Sequence, residues 1–129
     1  MSAHSLEPDE IVYRALLRKN WIHEDTDQLK ADAFIPRPDK DKDGLSVLRA
    51  RFLCPEQCAK RFNRCFGICE LSVRQVRGLG LDVVTEDDSS EHALIVGLPT
   101  TETENDRARA EWLAGQLAKK AKLVLLCHK

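Results

Sequence analysis

The chain holds 129 residues (14.6 kDa) with 20 basic and 21 acidic side chains, a formal charge of −1 and a mean hydropathy of −0.38. Apolar residues make up 43%, which excludes a disordered, low-hydrophobicity chain, and the length suits one domain able to bury a core without metals or disulfides. The longest apolar run, Ala93–Leu98, falls far short of the roughly 20 residues that a membrane helix needs, so no membrane association is expected.

The opening MSAHSLEPDE lacks both the basic flank and the apolar stretch of a secretory signal, and residues 1–7 read as a flexible start to a single domain covering 1–129. Pro8, preceded by Glu7 and followed by Asp9 and Glu10, then opens a helix expected over 8–19. Ile11, Val12, Ala15 and Leu16 line one side of it, with Arg14 and Arg18 opposite. The rival is a strand, because Ile11, Tyr13, Ala15 and Leu17 also alternate. Asp25, with Gln28 three residues on, marks a short helical turn over 25–33, and Pro36 and Pro38 lead into a charged loop. Leu45 to Leu53 reads as a strand.

Pro55 at the start and Gly67 past the end frame a helix over 55–66, with Cys58, Ala59, Phe62, Cys65 and Phe66 on one arc. Residues 68–76 admit two readings. Cys69, Leu71 and Val73 alternate as in a strand, whereas Ser72 and Gln75 would open a short helix ended by Gly78. Leu81–Thr85 and His92–Gly97 form an expected antiparallel hairpin across a polar connection. Thr101 and Glu104 would cap the last helix, 102–121. Its stripe runs through Ala110, Leu113, Ala114, Leu117, Ala118, Ala121 and Val124, and Leu123–Cys127 either continues it or forms a terminal strand. The expected fold class is α+β: a small, mainly antiparallel sheet with about three helices, 8–19, 55–66 and 102–121, packed on it.

Charge is unevenly spread. Residues 49–77 hold seven basic side chains (Arg49, Arg51, Lys60, Arg61, Arg64, Arg74 and Arg77) against two acidic ones, between two acidic flanks. On one face these groups would attract phosphate and form a nucleic-acid-binding module; paired with the flanks they make an ordinary salt-bridged surface, the commoner arrangement.

Five cysteines, an odd count without an export signal, point to free thiols in a reducing, cytoplasmic setting. Cys54, Cys58, Cys65 and Cys69 fall in the spacing C-x3-C-x6-C-x3-C. A single helix would leave the two pairs about 16 Å apart along its axis, too far for one zinc ion. The AKRFNR segment between them has no Gly or Pro to reverse the chain, so interior packing of the sulfurs is preferred over a zinc site or a redox pair. Asp39, Asp41, Asp43 and Gly44 resemble the start of an EF-hand calcium loop. Ala50 stands where that pattern requires a bidentate Glu, and Lys40 and Lys42 dilute the charge, so a solvated loop is the preferred reading.

Trp112 points away from the apolar stripe of the last helix, over Ala108 and Gly115. It is either an interface anchor or a side chain covered by Trp21 or Tyr13. The usual nucleophile, P-loop, zinc-hydrolase and dinucleotide motifs do not occur. Arg14, Ser46 and His92 are the residue types a small nucleotide-handling enzyme would bring together in one pocket.

Arg37-Pro38, Gly44-Leu-Ser-Val47, Leu79-Gly-Leu81 and His92-Ala-Leu-Ile-Val-Gly-Leu-Pro99, followed by an Ala/Leu-rich helix, resemble in their order a group of small uncharacterised bacterial proteins across roughly residues 10–125. The resemblance implies a bacterial cytoplasmic single domain and no particular activity; the cysteines are not part of its pattern. The function expected first is a non-catalytic accessory or protein-interaction domain without a cofactor, a homodimer through Trp112 being one form. The alternatives are the nucleic-acid-binding module and a small enzyme acting on a nucleotide-like substrate.

Overall fold

A computed structural model describes residues 4–23, 25–26, 28–37, 41, 43–87, 89–99 and 103–127. Seven antiparallel strands form one sheet: β1 (His4–Ser5), β2 (Ile11–Leu16), β3 (Leu45–Arg49), β4 (Gly67–Ser72), β5 (Asp82–Thr85), β6 (His92–Val96) and β7 (Lys122–Leu126). Their spatial order is β1-β5-β6-β3-β2-β4-β7. Three helices accompany it, α1 (Pro55–Ala59), α2 (Val73–Arg77) and α3 (Glu104–Lys120), so the α+β class holds, although one of the three helices is not where the sequence suggested.

The helix expected over 8–19 is instead strand β2. Helical and alternating spacings both fit this segment, and β4 decides between them by pairing with β2 along its whole length, from Ile11↔Ser72 to Leu16↔Gly67. Ile11, Val12 and Tyr13 also suit a pleated surface. Residues 4–7 are likewise not a loose start: β1 pairs with β5, and Leu6 is buried. The helical turn expected over 25–33 forms later, as a 3-10 turn at Ala31–Phe34, after an isolated bridge between Ile22 and Leu29.

Alternation gives the sheet two different faces. On the first, Val12, Leu16, Leu45, Val47, Cys69, Leu71, Val83, Ala93 and Ile95 form the main core with Leu113, Ala114, Leu117 and Ala118 of α3 and with Val73 and Val76 of α2. Each fully buried leucine there contributes about 1.5–3 kcal/mol. Thr103 caps α3, its Oγ1 accepting from Asp106 N at 3.1 Å; the expected cap Thr101 lies outside the described residues. At Ala121 the backbone turns extended, and the apolar residues that follow join the sheet as β7. On the second face, Ala15 and Ile68 pack with Leu53, Cys58 and Cys65 in a smaller cluster.

The helix expected over 55–66 stops at Ala59. Bonds from Arg61 N to Cys58 O (3.1 Å) and from Phe62 N to Ala59 O (3.3 Å) tighten the chain into turns. The turns bring Phe62 and Cys65 down onto the sheet. Both readings of 68–76 hold in succession. Strand β4 ends at Ser72, whose Oγ accepts from Gln75 N (3.1 Å) while Gln75 Oε1 accepts from Ser72 N (3.0 Å), and α2 starts there. The hairpin of β5 and β6 forms as expected, with Val83 opposite Ile95. No helix among the described residues is long and apolar enough to cross a membrane.

Candidate functional site

Strands β2 and β3 are neighbours in the sheet, yet their ladder has only two pairs, Val12↔Arg49 and Tyr13↔Leu48. In continued register Arg14 would face Val47 and Ala15 would face Ser46. Arg14 instead uses its side chain as a spacer: Nη1 donates to Ser46 O at 2.9 Å, and Nε donates to Ala33 O at 3.0 Å. Its Cζ lies 5.8 Å from the centre of the Trp21 ring. The guanidinium thus takes over part of the hydrogen bonding that the ladder would have supplied, and the two strands part beyond it.

Arg14 is only 6% exposed. Burial lowers its affinity for the proton, and Asp41 offsets part of that loss. Asp41 is itself engaged by Arg37, accepting from Arg37 N (2.8 Å) and Nε (2.9 Å) through Oδ2 and from Nη2 (3.4 Å) through Oδ1. Burial alone would raise the Asp41 carboxyl. The Arg37 donors, with the charges of Arg37 and Arg14, outweigh it and hold the group below its ordinary value. Two guanidinium groups therefore share one carboxylate. No buried side-chain nitrogen or oxygen lacks a hydrogen-bond partner among the described residues. Arg14 Nη2 has no such partner there, so it keeps contact with open space rather than ending in the core.

Arg14 and Val47 also border a cleft of about 420 Å³ whose other sheet residues belong to the second face. Tyr13, Ala15 and Leu17 line it from β2 and its end, Ser46 and Leu48 from β3, and Cys58, Arg61 and Phe62 from α1 and the turns after it. Arg37, Glu91 and His92 complete its polar rim, where Arg61 and Glu91 form an ion pair at 3.1 Å. Burial pushes the Cys58 thiol up to about 12, so it is protonated at neutral pH. Burial and then Glu70 likewise raise the Tyr13 phenol. Arg14, Ser46 and His92 thus line one cleft, although no hydrogen bond links the side chains of Ser46 and His92 among the described residues.

The other residues singled out in the sequence lie elsewhere. Arg49, named as a phosphate contact, is 1% exposed, with Nε and Nη2 on the Glu10 carboxylate (2.6 and 3.2 Å) and Nη1 on Ser90 O (3.1 Å). It is a core ion pair and is not available to nucleic acid. Arg77 bonds Asp82 and the Leu6 carbonyl, and Arg51 lies over the Phe52 ring at 5.3 Å. Lys60 and Arg64 are exposed beside α1 on the second face, whereas Arg74 is exposed on α2, which packs on the first. The basic segment therefore does not form one patch.

The sulfurs of Cys58 and Cys65 lie on the second face. Cys69 lies on the first, its thiol donating to Arg14 O at 3.6 Å, and Cys54 is exposed. The sheet separates them, and no group of three or more His, Cys, Asp or Glu among the described residues is placed to hold a metal ion. The calcium reading loses Asp41 to Arg37; Asp43 is exposed, and Asp39 lies outside the described residues. Trp112 is 58% exposed, so neither Trp21 nor Tyr13 covers it, and exposed Ala108 and half-buried Gly115 flank it on α3.

Tyr13, Arg37, Leu48, Arg61, Phe62 and Glu91 were not foreseen as neighbours of this site. A signal was present: Arg14 is the one charged residue inside Ile11–Leu17, and on a strand it shares the face of Val12 and Leu16. The chain matches no protein family, curated protein or solved structure at a significant level.

Proposed function

We propose that this protein is a non-catalytic accessory domain that binds a small organic molecule in the cleft between β2, β3 and the turns after α1. The observation that carries the reading is the parting of β2 from β3 around Arg14, which builds a concave, largely apolar cleft with a buried polar group at its floor. That combination is typical of small-molecule sites, and about 420 Å³ falls within their usual size range. The absence of a side-chain hydrogen bond between Ser46 and His92 and the protonated Cys58 thiol favour binding over nucleophilic chemistry. Five free thiols support the proposal of a reducing compartment such as the cytoplasm.

A thermal-shift screen with a fragment library of neutral and charged compounds tests this reading on the wild type and on Leu48→Trp, which fills the cleft. Hits that stabilise the wild type and leave the variant unmoved are expected; hits that stabilise both equally, or none at all, overturn it.

The exposure of Trp112 between Ala108 and Gly115 favours a second role, self-association through α3. Light scattering on wild type and Trp112→Ala is expected to give a dimer and a monomer; a monomer in both removes this role.

A further inference from the structure

We propose that Cys65 and Cys127 form a reversible disulfide when the protein meets hydrogen peroxide, linking the end of strand β7 to the start of β4. The first argument is placement. Ile68 pairs with Leu125 and Gly67 with Leu126, and Cys127 N donates to Phe66 O at 2.9 Å, so the chain after β7 runs beside the residues that lead into β4. Alternation puts Leu125 and Cys127 on one side of their strand, and both pack against the second-face cluster that holds Cys65 and Ile68. The side chains of Cys65 and Cys127 are hydrogen-bonded there. Cys69 belongs to the core on the other face of the sheet and does not compete.

The second argument is access, which assigns the order of steps. Cys127 is half-buried, whereas Cys65 is 5% exposed and Cys58 is fully buried, so an oxidant from solvent meets Cys127 first. The Cys127 thiolate attacks one peroxide oxygen. The O–O bond breaks, a sulfenic acid forms on Cys127, and the other oxygen leaves as water. Cys65 Sγ donates to Gly67 O at 3.2 Å, and burial raises this thiol, so it stands protonated beside the sulfenic acid. Its sulfur then attacks the sulfenic sulfur. The S–S bond forms, the S–O bond breaks, and the hydroxyl leaves as a second water with the Cys65 proton. Together the sulfurs lose two electrons and the peroxide gains two, so no further reactant is needed. Strand β7 is the last in the sheet, and its ladder with β4 shifts register between Ile68 and Cys69, so the bridge secures an edge strand. In a reducing compartment such a bond is transient and senses oxidant, in keeping with five free thiols.

Peptide mapping of the full chain, treated with equimolar hydrogen peroxide near neutral pH and quenched with iodoacetamide, tests the assignment. Trypsin leaves Cys127 in 123–129, Cys65 with Cys69 in 65–74, and Cys54 with Cys58 in 52–60. The expected product joins 65–74 to 123–129 with fragment ions placing the bond on Cys65, weighs about 2 Da less than the two reduced peptides together, and is lost on treatment with dithiothreitol. Cys65→Ser is expected to leave Cys127 as a sulfenic acid that dimedone captures, and Cys127→Ser to leave Cys65 reduced. The wild-type map decides the matter even if a variant does not fold. No cross-link, a bond between Cys58 and Cys65, a bond on Cys69, or Cys127 joined to the Cys127 of a second chain overturns the proposal.

Discussion

Nη1 of Arg14 donates to the Ser46 carbonyl at 2.9 Å across two strands that share no ladder pair at that level. This bond bridges β2 and β3 where their ladder has ended, beside the cleft, and joins a core residue to the candidate site.

Removal of the guanidinium strands two acceptors, Ser46 O and Ala33 O. Arg14→Met is therefore expected to lower the unfolding free energy by about 1–3 kcal/mol, the usual cost of unmet buried hydrogen bonds. Urea denaturation measures it; a loss below about 0.5 kcal/mol, the range of ordinary surface changes, contradicts the spacer role.

The Arg49–Glu10 pair is a second buried ionic contact, made for stability rather than binding. Arg49→Met leaves the Glu10 carboxylate without its counter-charge and is expected to cost about 3–5 kcal/mol. Arg51→Ala, two residues on and exposed, is expected to stay within about 0.5 kcal/mol. Parallel denaturation curves decide the point, and similar losses in both variants would contradict it.

The segment around these arginines also shows what was legible beforehand. Hairpin β5–β6, helix α3 and the Ser72–Gln75 cap could be read from local patterns because their hydrogen bonds are made nearby in the chain. Strand β2 could not, since its partners lie more than 30 residues away and Arg14 interrupts its inward face of Val12 and Leu16. Trusting helical spacing there hid the site, because a helix would have turned Arg14 outward. Residue type still nominated Arg14, Ser46 and His92, but Arg37, Tyr13 and Phe62 enter through long-range folding that no spacing encodes.

The thiols give a pH dependence with a definite sign. Burial raises both Cys58 and Cys69 from an ordinary 9.0 to about 12. A raised folded-state value means that the stability linked to these thiols is complete below pH 9 and is lost as pH climbs from 9 towards 12. Stability curves from pH 8 to 11 are expected to fall less steeply for Cys58→Ala and Cys69→Ala than for wild type; identical slopes contradict this. At pH 8, iodoacetamide is expected to modify exposed Cys54 first and to reach Cys58 and Cys69 only on unfolding, as peptide mass spectrometry would show.

Helix α2 is short and depends on its cap. Ser72→Ala is expected to cost about 1 kcal/mol, read from thermal or urea melts, and Ser72→Thr to retain most of the stability. Equal losses in both variants would contradict the capping role.

The central claim is that the cleft beside Arg14 receives a ligand, and amide chemical-shift mapping during titration with the most stabilising compound of the fragment screen tests it most directly. The account predicts saturable shifts concentrated at Ala15, Ser46, Leu48 and His92, with α3 silent. Shifts confined to the surface around Trp112, or none at saturating concentration, would contradict it.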